Sequence, residues 1–584
     1  MTEDPSREDD DLARAFRPRR PIGLVVGCFL LGGAGASLYA LRGPELSQPP
    51  QLDDYGPDVR FVEFDIDDTG QRHKGEEGKM GRPTAKNKSG LYAMRGPDLR
   101  VSNSGVQYEV APDAADTPES VRGGEGYAEI AEQAFVATRE DNRSTFAIDV
   151  DTASYSNVRR FVAEGHLPPP EAVRIEELVN YFDYEYAQPD GEVPFSVTSE
   201  VGPCPWNDAH RLVHIGLQGR DVPIADVPAR NLVFLVDVSG SMNAHDKLPL
   251  LERSLALLVP QLRAQDRVGI VVYAGASGIV LDSTSGSEPE TITRALERLQ
   301  AGGSTNGGAG IELAYRVAQH GFVEGGINRV VLATDGDFNV GLDSESELHT
   351  LIEAKRKSGV FLSVLGFGRG NLQDSTMELL ADKGNGNYAY IDSFDEAKKV
   401  LVEEVGGTLM TIAKDVKIQV AIDPDEVESF RLIGYDNRKL AHRDFTDDTK
   451  DAGEIGSGHS VTALYEVVPA RGADGGKLMD VKLRWKAPDG EHSDETSAVV
   501  VDDGRDLAAT SRDFRFSAAV VEAGLLLRHS EHAGDASWLE AIELANGARG
   551  RDPKCDRDGF VALAVGAARL AGVDAEYSAT ACSP

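Results

Sequence analysis

Between residues 230 and 405 the chain alternates short, continuous apolar runs with stretches of helical spacing. The runs at 232–236, 268–273, 279–281, 330–333, 360–367 and 388–391 read as strands. Apolar positions three and four apart predict helices over 248–262, 290–299, 308–318, 346–357, 372–381 and 394–405. Strands that are apolar throughout belong inside a parallel sheet covered on both faces. Such alternation predicts βαβ units with right-handed crossovers and a doubly wound α/β sheet. On that architecture ligands bind beyond the carboxyl ends of the strands, where the strand order reverses.

The flanks follow other periods. Upstream, 144–148 reads as a strand, 154–163 as a helix broken by Pro168-Pro169-Pro170, and 172–182 as a further helix. Residues 194–218 alternate as strands do. Downstream, strand patterns return at 416–422, 430–434, 460–468 and 477–485, followed by helical spacing at 517–528, 538–546 and 560–570. The expected organisation is an α+β segment over 126–228, the α/β domain over 229–405, and a β-rich region with terminal helices over 406–584. Residues 42–125 are rich in Pro, Gly, Asp and Lys and are expected to form a largely disordered tether with short ordered patches. A near-repeat, LYALRGPEL (38–46) and LYAMRGPDL (91–99), reads as coincidence or a short linear motif.

Residues 1–20 end in Arg17-Pro18-Arg19-Arg20, and 21–41 carry no charge. That length spans a bilayer, and the preceding cations place residues 1–20 in the cytoplasm. A signal anchor is the expected outcome; cleavage after Ala36 or lipidation at Cys28 would equally export the rest. The bulk of the chain is therefore expected in the cell envelope, outside the cytoplasm.

Composition removes several function classes. Ninety-six Asp and Glu against 60 Lys and Arg give a net charge of −36. Phosphate backbones need clustered cations, so nucleic acid is not an expected partner. Four cysteines, Cys28, Cys204, Cys555 and Cys582, lack the paired spacing of a zinc ribbon and are too few for a disulfide scaffold. The three exported cysteines allow at most one disulfide among themselves, with Cys555–Cys582 a candidate pair; the sequence leaves the pairing open.

The chemistry concentrates at the strand ends. The first strand of the α/β region runs into Asp237-Val238-Ser239-Gly240-Ser241-Met242, three oxygen side chains spaced two apart on one turn. Thr305 lies in the loop Gly302-Gly303-Ser304-Thr305-Asn306, and Asp335 follows the strand at 330–333. All fall at one edge of the expected sheet. Three hydroxyls and two carboxylates suit a hard divalent cation, leaving one of the six Mg²⁺ positions open. The absence of Cys and His disfavours zinc and copper.

These residues resemble the metal-ion-dependent adhesion site of von Willebrand factor type A (vWA) domains, whose fold is Rossmann-like. The resemblance implies Mg²⁺ (or Mn²⁺ or Ca²⁺) held by Asp237, Ser239, Ser241, Thr305 and Asp335, with an acidic residue of a protein partner completing the coordination. STFAIDVDTASYSNVRRFV, LPPPEAVRIEELVNYFDYEY, GTLMTIAKDVKIQV, FRLIGYDNR and AGEIGSGHSVTALYEVVP resemble the flanking regions of the bacterial YfbK-like group. That group is implied to be envelope-associated, and catalysis is not implied.

Other signals compete. Asp149 and Asp151 in FAIDVDT fit the D-x-D-x-T loop of aspartyl-phosphate phosphatases, but later elements of that class are missing. The simpler reading has these aspartates cap the following helix. A structural envelope protein with a vestigial metal site is a further alternative. Gly366-Phe367-Gly368-Arg369-Gly370 reads as turn glycine rather than a dinucleotide loop, and His529 with His532 as a surface pair. Asp282, Asp337 and Asp343 sit near loop edges, where solvated charge is the default.

Overall fold

The computed structural model describes residues 124–577, apart from 149–150, 275–276, 303–306, 337–344, 405–409, 451, 474 and 489, together with four short strands between 59 and 95. The segments expected at 1–20 and 21–41 lie outside these residues, and no described helix is long and apolar enough to cross a membrane.

The α/β region forms one sheet. Its parallel strands lie in the order Arg267–Tyr273, Arg230–Asp237, Ile327–Thr334, Phe361–Phe367, Tyr388–Ile391. Ser277–Ser285 adds antiparallel beyond Arg267–Tyr273. Arg230–Asp237 comes first in the chain, and its successors add on both sides of it. The order therefore reverses between Arg230–Asp237 and Ile327–Thr334. Along the first strand Leu232, Phe234 and Val236 pack toward helices Leu248–Leu258 and Pro289–Leu296. Val233 and Leu235 pack toward Gly307–His320 and Asp374–Lys383. Two covered faces account for the unbroken apolar run.

The flanking regions do not stand apart. Arg143–Ala147 pairs with Thr411–Ile422, and Asn207–Gly219 pairs with Ser460–Pro469. Strands from both sides of the α/β domain thus share two antiparallel sheets, which bury Phe146, Val213, Ile215, Ile418, Val420, Tyr465, Val481 and Leu483 between them. Helices Ala153–Ala163 and Ile175–Asn180 from upstream pack with Arg512–Arg528, Trp538–Gly547 and Asp556–Leu570 from the end of the chain.

Short strands lie within the expected tether. Val59–Glu63 pairs antiparallel with Leu91–Arg95, and the latter continues the central sheet beyond Ser277–Ser285. The β-branched and aromatic residues of VRFVE and LYAMR supply the strand propensity. The helix expected over 394–405 is an α-helix at Phe394–Lys398 that widens to π over Lys399–Glu404. Cys555 is disulfide-bonded, while Cys204 is a buried free thiol. Cys582, the candidate partner of Cys555, lies outside the described residues.

Asp151 does not cap the helix that follows. The N-cap is Thr152, which makes no side-chain capping bond. Asp151 instead accepts the Tyr388 N–H at 2.8 Å and faces Arg438 at 3.4 Å. It therefore fastens the upstream segment to the edge strand of the sheet. Asp149 lies outside the described residues.

One buried acid sets a pH dependence. Glu522, on Arg512–Arg528, is fully buried. One oxygen accepts the Ser537 N–H at 2.8 Å, and the other meets no hydrogen-bond partner among the described residues. Burial pushes its carboxyl up from 4.5 to about 7, with nearby Glu540 adding to the shift. The folded state then keeps a proton that the unfolded chain has released. The stability contribution is whole below about pH 4.5 and is lost as pH rises to about 7. Glu522→Gln is expected to remain neutral, and to exceed the parent by about 3 kcal/mol at pH 8 but not at pH 4. Urea unfolding at the two pH values checks this; an equal difference at both would refute it.

Candidate metal and ligand site

The reversal of strand order places the ends of two neighbouring strands side by side. Val236 is in register with Ala333, so Asp237 and Thr334 leave the sheet together. The chain after Asp237 stays extended through Ser239 and then enters a short 3₁₀ turn, Gly240–Asn243. The Met242 N–H closes that turn on the Ser239 carbonyl at 3.1 Å.

Within the turn the oxygens converge. Asp237 Oδ1 accepts the Ser239 N–H at 2.8 Å. Its Oδ2 accepts the hydroxyls of Tyr273 at 3.2 Å and Thr334 at 3.3 Å. Ser239 Oγ and Ser241 Oγ lie 2.8 Å apart. Asp335, fully buried, takes the Lys247 ammonium at 2.8 Å and the Asn371 amide at 3.3 Å on one oxygen. The glycine-rich loop reaches the same turn, because Gly302 N–H donates to the Val238 carbonyl at 2.7 Å. Thr305, further along that loop, lies outside the described residues, as do Asp337 and Asp343. Asp282 is used locally, accepting the Ser283 N–H at 2.7 Å.

Asp237 is fully buried. Burial pushes its carboxyl up to about 6, the negative charge of Asp335 adds to this, and the Ser239 bonds oppose it. Two carboxylates held close in a dry site repel each other, and a cation relieves that repulsion. The donors are all oxygen, two of them carboxylates, which fits a hard divalent ion and not a soft one. Asp237, Ser239, Ser241 and Asp335 are the described residues that could hold it.

Sequence reasoning missed Tyr273, Thr334, Asn371 and Lys247. Thr334 was legible as the residue beside Asp335. The other three come from different strands and loops, and nothing in their local sequence marks them.

The model of the von Willebrand factor type A domain matches residues 231–403. The model described as "Uncharacterized protein YfbK, C-terminal" matches 407–477 and 470–570, and one described as "von Willebrand factor" matches 121–214. The Escherichia coli K12 protein named "Uncharacterized protein YfbK" is 44% identical over 445 residues, covering 72% of this chain and 77% of its own. The chain belongs to the YfbK family. Other relatives of this YfbK family member share only part of its length. Human inter-alpha-trypsin inhibitor heavy chain H3 is 28% identical over 199 residues, 32% of this chain and 22% of its own. Among solved structures, the von Willebrand factor type A protein of Catenulispora acidiphila aligns over 63% of this chain and 89% of its own, at 16% identity and TM-score 0.36. The ArnB paralog VWA2 of Sulfolobus acidocaldarius covers 65% and 98%, at 15% and 0.33. The vWA domain of the YfbK family suggests protein–protein adhesion as the class of function.

Proposed function

We propose that this protein recognises a protein partner through a divalent ion, Mg²⁺ or else Mn²⁺ or Ca²⁺, held by Asp237, Ser239, Ser241, Thr305 and Asp335. An acidic side chain of the partner would complete the coordination. The observation that carries this reading is the convergence of two buried carboxylates and a close pair of serine hydroxyls where the strand order reverses. When bound, the ion supplies a positive centre with an open position for an anion. The chain's own part is to hold the donors: the Ser239 N–H, Tyr273 and Thr334 fix the Asp237 carboxylate, and the 3₁₀ turn fixes the serines.

In this reading the domain is displayed in the cell envelope, tethered through residues 21–41, and performs no catalysis. The disulfide at Cys555 supports an oxidising compartment. Asp151 is engaged by Tyr388 and Arg438, which speaks against phosphoryl transfer at D-x-D-x-T.

Calorimetric titration with Mg²⁺ and Mn²⁺ tests the ion. One saturable site is expected, and an absence of uptake would leave a structural envelope protein as the better reading. Retention of an envelope protein on the immobilised chain, lost on adding EDTA, tests the recognition. Retention indifferent to EDTA would overturn the metal-dependent part.

A further inference from the structure

Lys247 stands immediately before helix Leu248–Leu258 and is almost completely buried. Its ammonium meets Asp335 at 2.8 Å, with both side chains out of solvent. Its stem lies along Gly368, where φ is +69° and an added Cβ would come within 2.3–2.8 Å of the lysine's Cγ, Cε and Cδ. Glycine at this turn thus leaves the channel that the lysine fills. Asn371, three residues on, donates to the same Asp335 oxygen at 3.3 Å. A loop from elsewhere in the domain therefore clamps a cation onto a carboxylate of the adhesion site.

We propose that Lys247 is a resident cation that competes with the divalent ion for Asp335 and so holds the metal affinity of the site down. This rests on the metal reading given above. Asp335 is too deeply buried to lie uncompensated without cost, and the lysine supplies compensation. An incoming ion must share that carboxylate with a positive charge that its clamped stem keeps nearby, and like charges in a dry site oppose each other. The lysine has a second consequence. With the ion bound, Asp237, Asp335, Lys247 and the ion together carry one net positive charge, whereas without the lysine they would be neutral. The loaded site of the native chain keeps a formal attraction for an anionic partner group.

Titration calorimetry of the full chain with Mg²⁺ and with Mn²⁺ tests this in three forms: native, Lys247→Met and Lys247→Gln. Methionine keeps the apolar stem; glutamine keeps a donor toward Asp335, so that one neutral variant folds if the other does not. Both are expected to bind the ion about tenfold more tightly or better, the effect of removing one like charge from a buried site. The metal-induced rise in urea midpoint should grow in parallel. Native uptake with unchanged or weaker uptake in the neutral variants overturns this inference alone. No uptake in any of the three overturns the metal site itself, and the inference with it.

Discussion

Asp237→Asn is expected to abolish divalent-ion uptake and EDTA-sensitive partner binding while leaving the fold intact. The carboxylate is the anionic donor of the serine turn, and asparagine keeps its shape without its charge. Changing residues that merely orient metal ligands costs about 10- to 100-fold in affinity, so losing a ligand's charge should cost at least that. Asparagine can still accept the Ser239 N–H at the start of the turn. Asp237→Ala would remove that acceptor together with the one for Tyr273 and Thr334, so it should lose stability as well as binding. The two effects separate by pH in EDTA. The folded-state value is raised from 3.8 to about 6, so stability is fully present below about pH 3.8 and is lost as pH rises to about 6. At pH 7.5 without metal, Asp237→Asn should therefore unfold at higher urea than the native chain, by about 3 kcal/mol. Near pH 3.5 the difference should vanish, and saturating Mg²⁺ at pH 7.5 should reverse it. Survival of EDTA-sensitive binding in Asp237→Asn would sink the assignment.

Arg174→Met is expected to cost about 3–5 kcal/mol of stability, the loss typical of removing one partner from a buried ion cluster. The Arg174 guanidinium, almost wholly buried, reaches Glu177 at 3.2 Å, Asp374 at 2.8 Å and Glu378 at 2.8 Å. Its planar fork serves three carboxylates at once, which a lysine's single ammonium does not reproduce. Arg174→Lys should therefore recover only part of the loss. The cluster also spans the assembly. Arg174 and Glu177 belong to the upstream segment, Asp374 and Glu378 to a helix of the α/β domain, and Glu378 is shared with Arg438 from downstream at 3.3 Å. Urea unfolding should show a lower midpoint and, if the cluster couples the regions, a broader transition. A loss under about 1 kcal/mol would mean that the cluster contributes little beyond its solvated alternatives.

The sequence carried the local decisions. Unbroken apolar runs such as 232–236 identified strands covered on both faces, and the alternation with helices fixed a parallel sheet. The spacing of Asp237, Ser239 and Ser241 put three oxygens on one strand-end turn. Asp335, at the end of another strand, was legible as their neighbour once the sheet was doubly wound. These features were readable because side-chain periodicity and turn chemistry depend on residues a few positions apart.

Tertiary structure decided what joins distant segments. No local pattern tells Arg143–Ala147 that its partner is Thr411–Ile422, more than 260 residues away, because strand pairing depends on register and covering surface rather than on propensity. The two flanks were read as separate regions for that reason. Asp151 looked like a helix cap or a catalytic acid until the fold brought Tyr388 and Arg438 to it. Lys247 carried no signal at all: its place on Asp335 exists because a turn at Gly368 leaves room for its stem. The sequence determined which oxygens stand at the strand ends. Only the packed structure decided which buried charges those oxygens must share, because a long-range ion pair is set by the geometry of several loops at once.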